Sequence, residues 1–456
     1  MAIRLLGNVR GMKTYSDAEI VADRLPKVSF ASGCYVTDTE GRQYIDGSGS
    51  PAVFSLGYAH PEVNAAIEDQ LRRVAHGYRY TFTSDALERL TALIHSQTGP
   101  GFEHLVFVSS GSEAMDSALK IALQYHWSRD EPARTRFIAR QRSYHGNTLG
   151  ALSVSGFARR REQFENALLD VTFVSAANAY RLPEGVTASG LADFLAGELE
   201  QEILRLGPER VAAFVFEPVV GAAGGVVPAP PHYAQKIREI CDRYGVLMIA
   251  DEVMCGAGRC GTWRALEYDG VRPDIMTIAK GLGGGYVPLG AAVFSARVGV
   301  PIYASGGGPN TGHTLTGHTL ACAAAAAVQE IIIRDRLVER VKIKGLELMA
   351  CLRERLDDLD AVGDVRGRGF FVGVELVADR DTRRAFPAGL NLHGRIRDRT
   401  LEAGLICYPV GGNVDGECGD VAILAPPYNA TDAELEEIID KFDTGLRRAL
   451  HEVQRL

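Results

Sequence analysis

A turn of small residues, SSGSEA at 109–114, follows an apolar run and opens an amphipathic stretch. Small side chains let backbone N–H groups approach an anion closely, and the N-terminus of a helix adds a favourable dipole. The turn is therefore a candidate phosphate site. The same residues could equally form an ordinary helix N-cap, with Ser110 or Ser112 as the capping residue.

Two acidic residues, Asp251 and Glu252, lie at the end of the apolar stretch VLMIADEV at 246–253. In an open α/β sheet, ligands bind beyond the carboxyl ends of the strands, so a carboxylate at this place can meet a ligand. Asp251 could bind a metal, pair with a cationic cofactor ring or simply cap the next element. Because the sequence holds neither an HExxH pair nor an EF-hand loop, we do not predict a metal site.

A lysine, Lys280, closes the apolar run at 275–279 and is followed by a glycine-rich turn at 281–285. A phosphate-binding P-loop has the opposite order, so we do not expect this lysine to bind a nucleotide. Burial disfavours the charged form of a lysine, and the neutral amine can act as a nucleophile or a base. A lone lysine more often lies at the surface, but the apolar and glycine neighbours favour burial here.

One cofactor accounts for all three features. Pyridoxal phosphate needs a cradle for its phosphate, an acid against its pyridine nitrogen and a lysine that forms a Schiff base with its aldehyde. The turn at 109–114, Asp251 and Lys280 could supply these three groups. Asp251 would keep the ring nitrogen protonated, so that the ring accepts the electrons released when a substrate Cα loses its proton. We therefore predict a pyridoxal phosphate site.

These groups meet only if strands bring them to one edge of a sheet. From residue 60 onward, short apolar runs alternate with longer amphipathic stretches, which is the pattern of βα units. Helical spacing predicts helices at 113–126, 233–244, 337–359 and 432–454. The clearest candidates for buried parallel strands are 105–108, 211–216, 246–250 and 275–278.

The predicted fold class is α/β with two domains. A large domain at 60–329 would be built around a mostly parallel sheet that binds the cofactor. A smaller α/β domain would combine both chain ends, 1–59 and 330–456. The short strands expected within 28–45 and a β-like run at 370–377 support this second unit.

Composition excludes several classes of protein. The 456 residues are 46% hydrophobic and 23% charged, which excludes disordered and collagen-like chains. The 49 basic and 57 acidic residues give a net charge of -8, with no basic excess for a nucleic acid.

Residues 1–20 lack the apolar core of a secretory signal, and the longest apolar run, 320–328, is too short to cross a bilayer. The eight cysteines are scattered singly, as expected for reduced thiols. We expect a soluble cytoplasmic protein with neither a nucleic-acid nor a membrane partner.

Four further motifs accompany the phosphate turn and Lys280. They are YHG at 144–146, FEPVVG at 216–221, DEV at 251–253 and HTLTGHTLACAAA at 313–325. In this combination the chain resembles the class III aminotransferases of fold type I, a family that includes ω-amino acid and amine transaminases. The resemblance extends over residues 46–427, most of the sequence.

The resemblance implies a role for each motif. The Tyr144 ring would stack on one face of the cofactor and Val253 would pack on the other, while Lys280 would be the catalytic residue that forms the Schiff base. Thr314 would reach the phosphate of the neighbouring subunit, which implies a homodimer or a dimer of dimers. Phe82 is a candidate for the substrate pocket. The expected cofactor-binding residues are Ser110, Gly111, Ser112, Tyr144, His145, Glu217, Asp251, Val253, Lys280 and Thr314.

The sequence departs from the family pattern in two places. Met254 and Cys255 follow the DEV motif where many relatives carry Gln and a small residue, which would alter the packing near the ring. Many amine transaminases also place a mobile arginine in the segment that corresponds to 411–423, where this chain has Gly416 and no arginine. Arg79 or Arg142 could substitute, although no spacing indicates it. How a substrate carboxylate is held therefore stays open.

The residues and the resemblance together predict an aminotransferase. It would move an amino group from an amine or ω-amino acid donor to a keto acid such as pyruvate, with Lys280 shuttling the proton. A pyridoxal-phosphate-dependent lyase or racemase on the same fold is the alternative, because of the missing arginine. A third possibility is a regulatory protein that retains the fold. The presence of Lys280 and the lack of a helix-turn-helix segment argue against it.

Overall fold

The computed structural model describes residues 25–455. The expectation that residues 1–20 form no secretory signal concerns residues outside this range, as does the first part of the unit predicted at 1–59. No helix in the described range is long and apolar enough to cross a membrane.

The strands of the described range form four sheets. In chain order they are β1 (Val28–Ser32), β2 (Tyr35–Asp38), β3 (Gln43–Asp46), β4 (His104–Val108), β5 (Arg136–Arg140), β6 (Val171–Val174), β7 (Val211–Phe216), β8 (Val219–Val220), β9 (Val227–Pro228), β10 (Leu247–Asp251), β11 (Ile275–Ile278), β12 (Gly290–Phe294), β13 (Val362–Arg368), β14 (Phe371–Leu376), β15 (Leu405–Ile406), β16 (Tyr408–Gly411) and β17 (Asp420–Leu424).

The α-helices connect and cover these strands. In chain order they are Gly49–Ala52, Pro61–Arg73, Asp85–Thr98, Gly111–Trp127, Leu149–Val154, Ala158–Arg161, Leu191–Leu206, Tyr233–Tyr244, Ala296–Gly306, Thr319–Arg334, Leu337–Arg355, Leu392–Glu402 and Asp432–Gln454.

The largest sheet has seven strands in the order β4-β12-β11-β10-β7-β5-β6. Strands β11, β10, β7, β5 and β6 pair in parallel, whereas β12 pairs antiparallel with both β11 and β4. The prediction of a parallel strand at 105–108 is therefore wrong in its pairing, because β12 lies between β4 and the parallel strands. The mostly parallel sheet and the α/β class are confirmed.

Both faces of this sheet are covered. Along β7, Ala213 and Val215 pack in one core cluster with residues of the helix Gly111–Trp127, whereas Phe214 and Phe216 pack in another with the helices Leu191–Leu206 and Tyr233–Tyr244. Alternate residues of a strand point to opposite faces, so both faces must be apolar. This explains why β7, β10, β11 and β12 are buried along their whole length.

Two smaller sheets combine distant parts of the chain. One has the order β1-β2-β3-β15, and β15 joins it through parallel pairing of Leu405 with Ile45. The other, β13-β14-β17-β16, is antiparallel throughout. Strands from the beginning and the end of the chain thus share a sheet, while the boundaries proposed at 59/60 and 329/330 stay predictions.

Candidate active site

Asp251 and Lys280 lie at the carboxyl edge of the seven-stranded sheet, the edge where its parallel strands end. Asp251 is the last residue of β10, and Lys280 follows the end of β11 closely. The two strands are parallel neighbours, with Asp251 opposite Thr277 in the register. The carboxylate and the amine are therefore placed by adjacent strands of one rigid sheet.

The Asp251 carboxylate is buried and held by three hydrogen bonds. Its Oδ1 accepts from the Val253 backbone N–H and from the Thr277 hydroxyl, each at 3.0 Å. Its Oδ2 lies 2.7 Å from Nδ1 of His145, whose Nε2 is buried without a partner among the described residues. Such bonds fix the direction of a buried carboxylate. The site thus presents an oriented negative charge.

Glu217 connects the end of β7 to the loop that holds Tyr144. The Tyr144 backbone N–H donates to Oε1 of Glu217 at 3.0 Å, and the Gly221 backbone N–H donates to Oε2 at 2.7 Å. Burial raises the pKa of Glu217; His145 opposes this shift and the charge of Asp251 adds to it. The Glu217 side chain therefore positions the loop and adds a second carboxyl group beside Asp251.

The Lys280 side chain is partly buried, and its amine has a lowered pKa. Its Nζ donates to the main-chain oxygen of Pro51 at 3.0 Å. Burial lowers the pKa of Lys280 to about 8, although the charges of Asp251 and Glu217 oppose the shift. The backbone at Lys280 has a φ of 38°, a left-handed conformation that is rare for residues other than glycine. Strained backbone of this kind clusters at functional sites.

The turn at 109–114 forms the start of the helix Gly111–Trp127. Ser110 is its N-cap, and its side chain accepts from the Glu113 backbone N–H at 3.2 Å, so the N-cap interpretation is confirmed. The backbone N–H groups of Gly111 and Ser112 donate to no residue in the range 25–455. Free N–H groups at a helix N-terminus bind anions, so the cap and the predicted phosphate site are compatible.

Two loops close around this turn. A Cβ added at Gly146 would lie 2.6 Å from Oγ of Ser112, and one added at Gly111 would lie 2.8 Å from Cγ1 of Val253. The loop of Tyr144 and the residues after β10 are therefore in direct contact with the start of the helix. Glycine is required at both places because any side chain would push these segments apart.

Two predicted residues lie apart from this group. Thr314 is exposed in a loop whose His313 ring is 3.3 Å from Oγ of Ser109. Phe82 is 65% exposed and lines a cavity of about 350 Å³ that also contains Arg79 and includes neither Asp251 nor Lys280. The structure of a single chain does not bring these two residues to the amine.

Arg259 is a buried residue of the site that the sequence analysis missed. Its guanidinium donates to the main-chain oxygens of Phe54, Phe370 and Pro426. It thereby joins three distant segments next to the Pro51 loop, and its charge contributes to the lowered pKa of Lys280. An isolated arginine after a glycine in the sequence offers no signal of this role.

Comparison with known proteins decides the family. The family model described as aminotransferase class-III matches residues 21–446 of this chain. The chain belongs to the class III aminotransferases. Members of this family use pyridoxal phosphate, so the predicted cofactor and enzyme class are confirmed.

Individual relatives of this class III aminotransferase agree with the family model. The chain is 37% identical over 431 residues to the uncharacterized aminotransferase YodT of Bacillus subtilis (strain 168), covering 94% of this chain and 97% of that protein. It is 35% identical over 421 residues to the adenosylmethionine-8-amino-7-oxononanoate aminotransferase of Nitratidesulfovibrio vulgaris, covering 90% and 75% of the two chains. The crystal structure of the omega transaminase from Pseudomonas jessenii in complex with PMP has a TM-score of 0.90, with 30% identity and 97% of each chain covered.

These comparisons also confirm fold type I and pyridoxal-phosphate-dependent transamination. Each of the three relatives is named an aminotransferase or a transaminase, and nothing found supports the alternative of a lyase or racemase.

The observed residues fit the cofactor of this family. Pyridoxal phosphate carries an anionic group, a basic ring nitrogen and an aldehyde. The described structure offers unpaired N–H groups at Gly111 and Ser112, a buried oriented carboxylate at Asp251 and the amine of Lys280. The three kinds of group needed are therefore present within one chain.

Proposed function

We propose that this class III aminotransferase takes an amine or an ω-amino acid as donor and a keto acid such as pyruvate as acceptor, with Lys280 as its catalytic residue. The observation that carries the proposal is the placement of Asp251 at the end of β10 and of Lys280 just after the parallel neighbour β11, where the charge of the carboxylate acts on the amine. The donor class is supported by the similarity to the Pseudomonas jessenii protein, which is named an omega transaminase.

The geometry and the family resemblance support an assignment of the residues that hold the cofactor. The N–H groups of Gly111 and Ser112 would bind the phosphate, and Asp251 would keep the ring nitrogen protonated. Tyr144 and Val253 would cover opposite faces of the ring. When bound, the cofactor supplies an aldehyde that takes up the donor amino group and a ring that accepts electrons.

Lys280 would perform the proton transfers. A pKa of about 8 leaves a large fraction of the amine neutral near that pH, so Nζ can accept the proton from the donor Cα. The same nitrogen, then charged, would return a proton in the half-reaction with the keto acid. The Pro51 carbonyl would orient Nζ between these steps, because it accepts a hydrogen bond from this atom.

A second subunit would complete the phosphate site. Thr314 is exposed, and nearby surface residues Leu315, Tyr80 and Phe82 are exposed apolar or aromatic side chains. Burial of such a surface between two copies is favourable, so we propose a homodimer or a dimer of dimers with Thr314 donated across the interface. The predicted cytoplasmic location is supported by the eight cysteines, which are all unpaired.

A panel of donors tests the proposed reaction. Amines, ω-amino acids and α-amino acids are offered with pyruvate and with 2-oxoglutarate, while the absorbance of the cofactor and the keto products are measured. We expect product to form in proportion to the acceptor consumed. Product formation or loss of chirality without any keto acid would indicate a lyase or racemase and would contradict the proposal.

A further inference from the structure

Arg160 is a cation beside the candidate site that has no partner in the described structure. It lies in the short helix Ala158–Arg161, and its Cζ is 4.8 Å from the centre of the Tyr144 ring. Within residues 25–455 its side chain forms neither an ion pair nor a hydrogen bond, although it is only partly exposed. By contrast, the next residue, Arg161, donates to the main-chain oxygens of Leu152, Ser153 and Ser155. Arg161 is thus a structural residue, whereas the donors of Arg160 are free.

Tyr408, on one of the smaller sheets, is affected by the charge of Arg160. Tyr408, the first residue of β16, is half-buried. Like Met254, it packs against the core cluster that includes Ala52. Burial raises the pKa of Tyr408, the positive charge of Arg160 opposes the shift, and Tyr144 adds to it. The Arg160 guanidinium lies over Tyr144, and its charge acts on Tyr408; we refer to these three residues as the Arg160 cluster.

Two other arginines lie in this region. Arg142 lies on the loop before Tyr144, and its Nη1 is buried without a hydrogen-bond partner among the described residues. Arg79 lies over Tyr80 at 5.2 Å, in the surface region of Phe82. In the described structure it is Arg160 whose guanidinium lies over the Tyr144 ring.

We propose that Arg160 binds the carboxylate of the substrate. This assignment rests on the proposed function, because Tyr144 marks the position of the cofactor. A guanidinium presents forked N–H groups that match a carboxylate, and partial burial strengthens such a pair. The Arg160 cluster would then bind the substrate carboxylate, a role for which segment 411–423 contains no arginine. The ligand is a carboxylate, either next to the reacting carbon or at the far end of an ω-amino acid.

Equilibrium binding tests the site without turnover. The holoenzyme loaded with pyridoxal phosphate is titrated with propionate and with the neutral propionamide in a calorimeter. We expect Arg160→Gln to weaken propionate binding about ten- to hundredfold, because hydrogen bonds to charged groups contribute about 1.5–3 kcal/mol. Arg159→Gln is the matched control on the exposed neighbour and should bind propionate like the wild type. Arg160→Lys keeps the charge and should fall between them. Equal propionate affinity in Arg160→Gln and wild type, or a wild type that binds no propionate, would overturn the proposal.

The first half-reaction separates recognition from packing. L-alanine, 4-aminobutyrate and isopropylamine, which has a methyl group in place of the alanine carboxylate, are each mixed with the holoenzyme and followed at the cofactor absorbance. Arg160→Gln should lower kcat/KM about ten- to hundredfold for the carboxylate donors and less than about threefold for isopropylamine. An equal loss for all three would show a packing role instead and would contradict the proposal. Comparing the losses of kcat/KM for L-alanine and 4-aminobutyrate shows whether the bound carboxylate is next to the reacting carbon or at the far end of the donor. If the wild type converts none of the three donors, the proposed function fails, while the propionate titration still decides the role of Arg160.

Discussion

The carboxyl edge of the seven-stranded sheet and the loops around it are built in different ways. At the sheet edge, Asp251 is held by hydrogen bonds of 2.7–3.0 Å, and the charges of Asp251 and Glu217 both act on Lys280. Around it, Thr314 and Phe82 are exposed, and Arg160 has no partner among the described residues. The groups proposed to perform the reaction thus lie at the ends of strands, whereas the groups proposed to choose a substrate or complete the site come from loops and a short helix.

Removing the Lys280 amine at the sheet edge should have the largest effect on turnover. Lys280→Ala should lower turnover by about 10⁴-fold, because the group that moves the proton is lost. Lys120→Ala, on the exposed side of the helix Gly111–Trp127, is the control and should leave turnover unchanged. Steady-state rates with the best donor and pyruvate measure both. Wild-type turnover in Lys280→Ala would remove Lys280 from the mechanism.

Removing the charge of Asp251 should have the next largest effect. Asp251→Asn should lower turnover by about 10²–10³-fold, because the ring nitrogen would no longer be held protonated. Thr277→Val removes only the hydroxyl that donates to Oδ1 at 3.0 Å and should cost about 1 kcal/mol, less than a tenfold loss of rate. The measured quantity is the ratio of the loss of turnover in Asp251→Asn to that in Thr277→Val. Equal losses would mean that Asp251 acts through packing and not through its charge.

A substitution at Thr314, in one of the surrounding loops, tests whether a second subunit contributes to the phosphate site. Thr314→Asp would place a negative charge against the phosphate and should weaken cofactor binding about tenfold or more. Unfolding and refolding an equal mixture of Thr314→Asp and Lys280→Ala chains would form hybrids with one intact site, assayed at a cofactor concentration that loads the wild type but not Thr314→Asp. Recovery of about a quarter of wild-type turnover is expected for random dimers. If the mixture is as inactive as its components, Thr314 acts within its own chain.

The smallest effect concerns pH. The neutral amine of Lys280 attacks the cofactor aldehyde, and burial lowers its pKa to about 8. The rate at which pyridoxal phosphate attaches to the cofactor-free enzyme should therefore rise about fivefold between pH 7 and pH 8 and level off above about pH 9. In Asp251→Asn the plateau should begin at a lower pH, because Asp251 opposes the shift. A rate that still climbs steeply above pH 10 would indicate an ordinary exposed lysine.

The strands that carry the chemistry were predictable because they are buried on both faces. Such strands are continuous apolar runs, and β7 and β11 have the predicted bounds. The helices Tyr233–Tyr244 and Asp432–Gln454 were also predicted to the residue, since their apolar residues recur at helical spacing. Strand β12 was missed because Gly and Ala have low β propensity, and its antiparallel position overturned the parallel pairing expected for 105–108.

The surroundings of the reacting groups were not predictable from local patterns. The contact of Arg160 with Tyr144 depends on how a short helix folds over a loop, and Tyr408 comes from a separate sheet. Lys280 also adopts a left-handed backbone that its side chain does not favour. Such features arise from tertiary packing, which overrides local preference at functional sites.

Trapping the cofactor on its lysine tests the central claim most directly. The holoenzyme is reduced with borohydride, digested and analysed by mass spectrometry for a lysine that carries the cofactor. We expect Lys280 to be the modified residue and the modification to be strongly diminished in Lys280→Ala. Modification of a different lysine, or equal labelling of the variant, would contradict it.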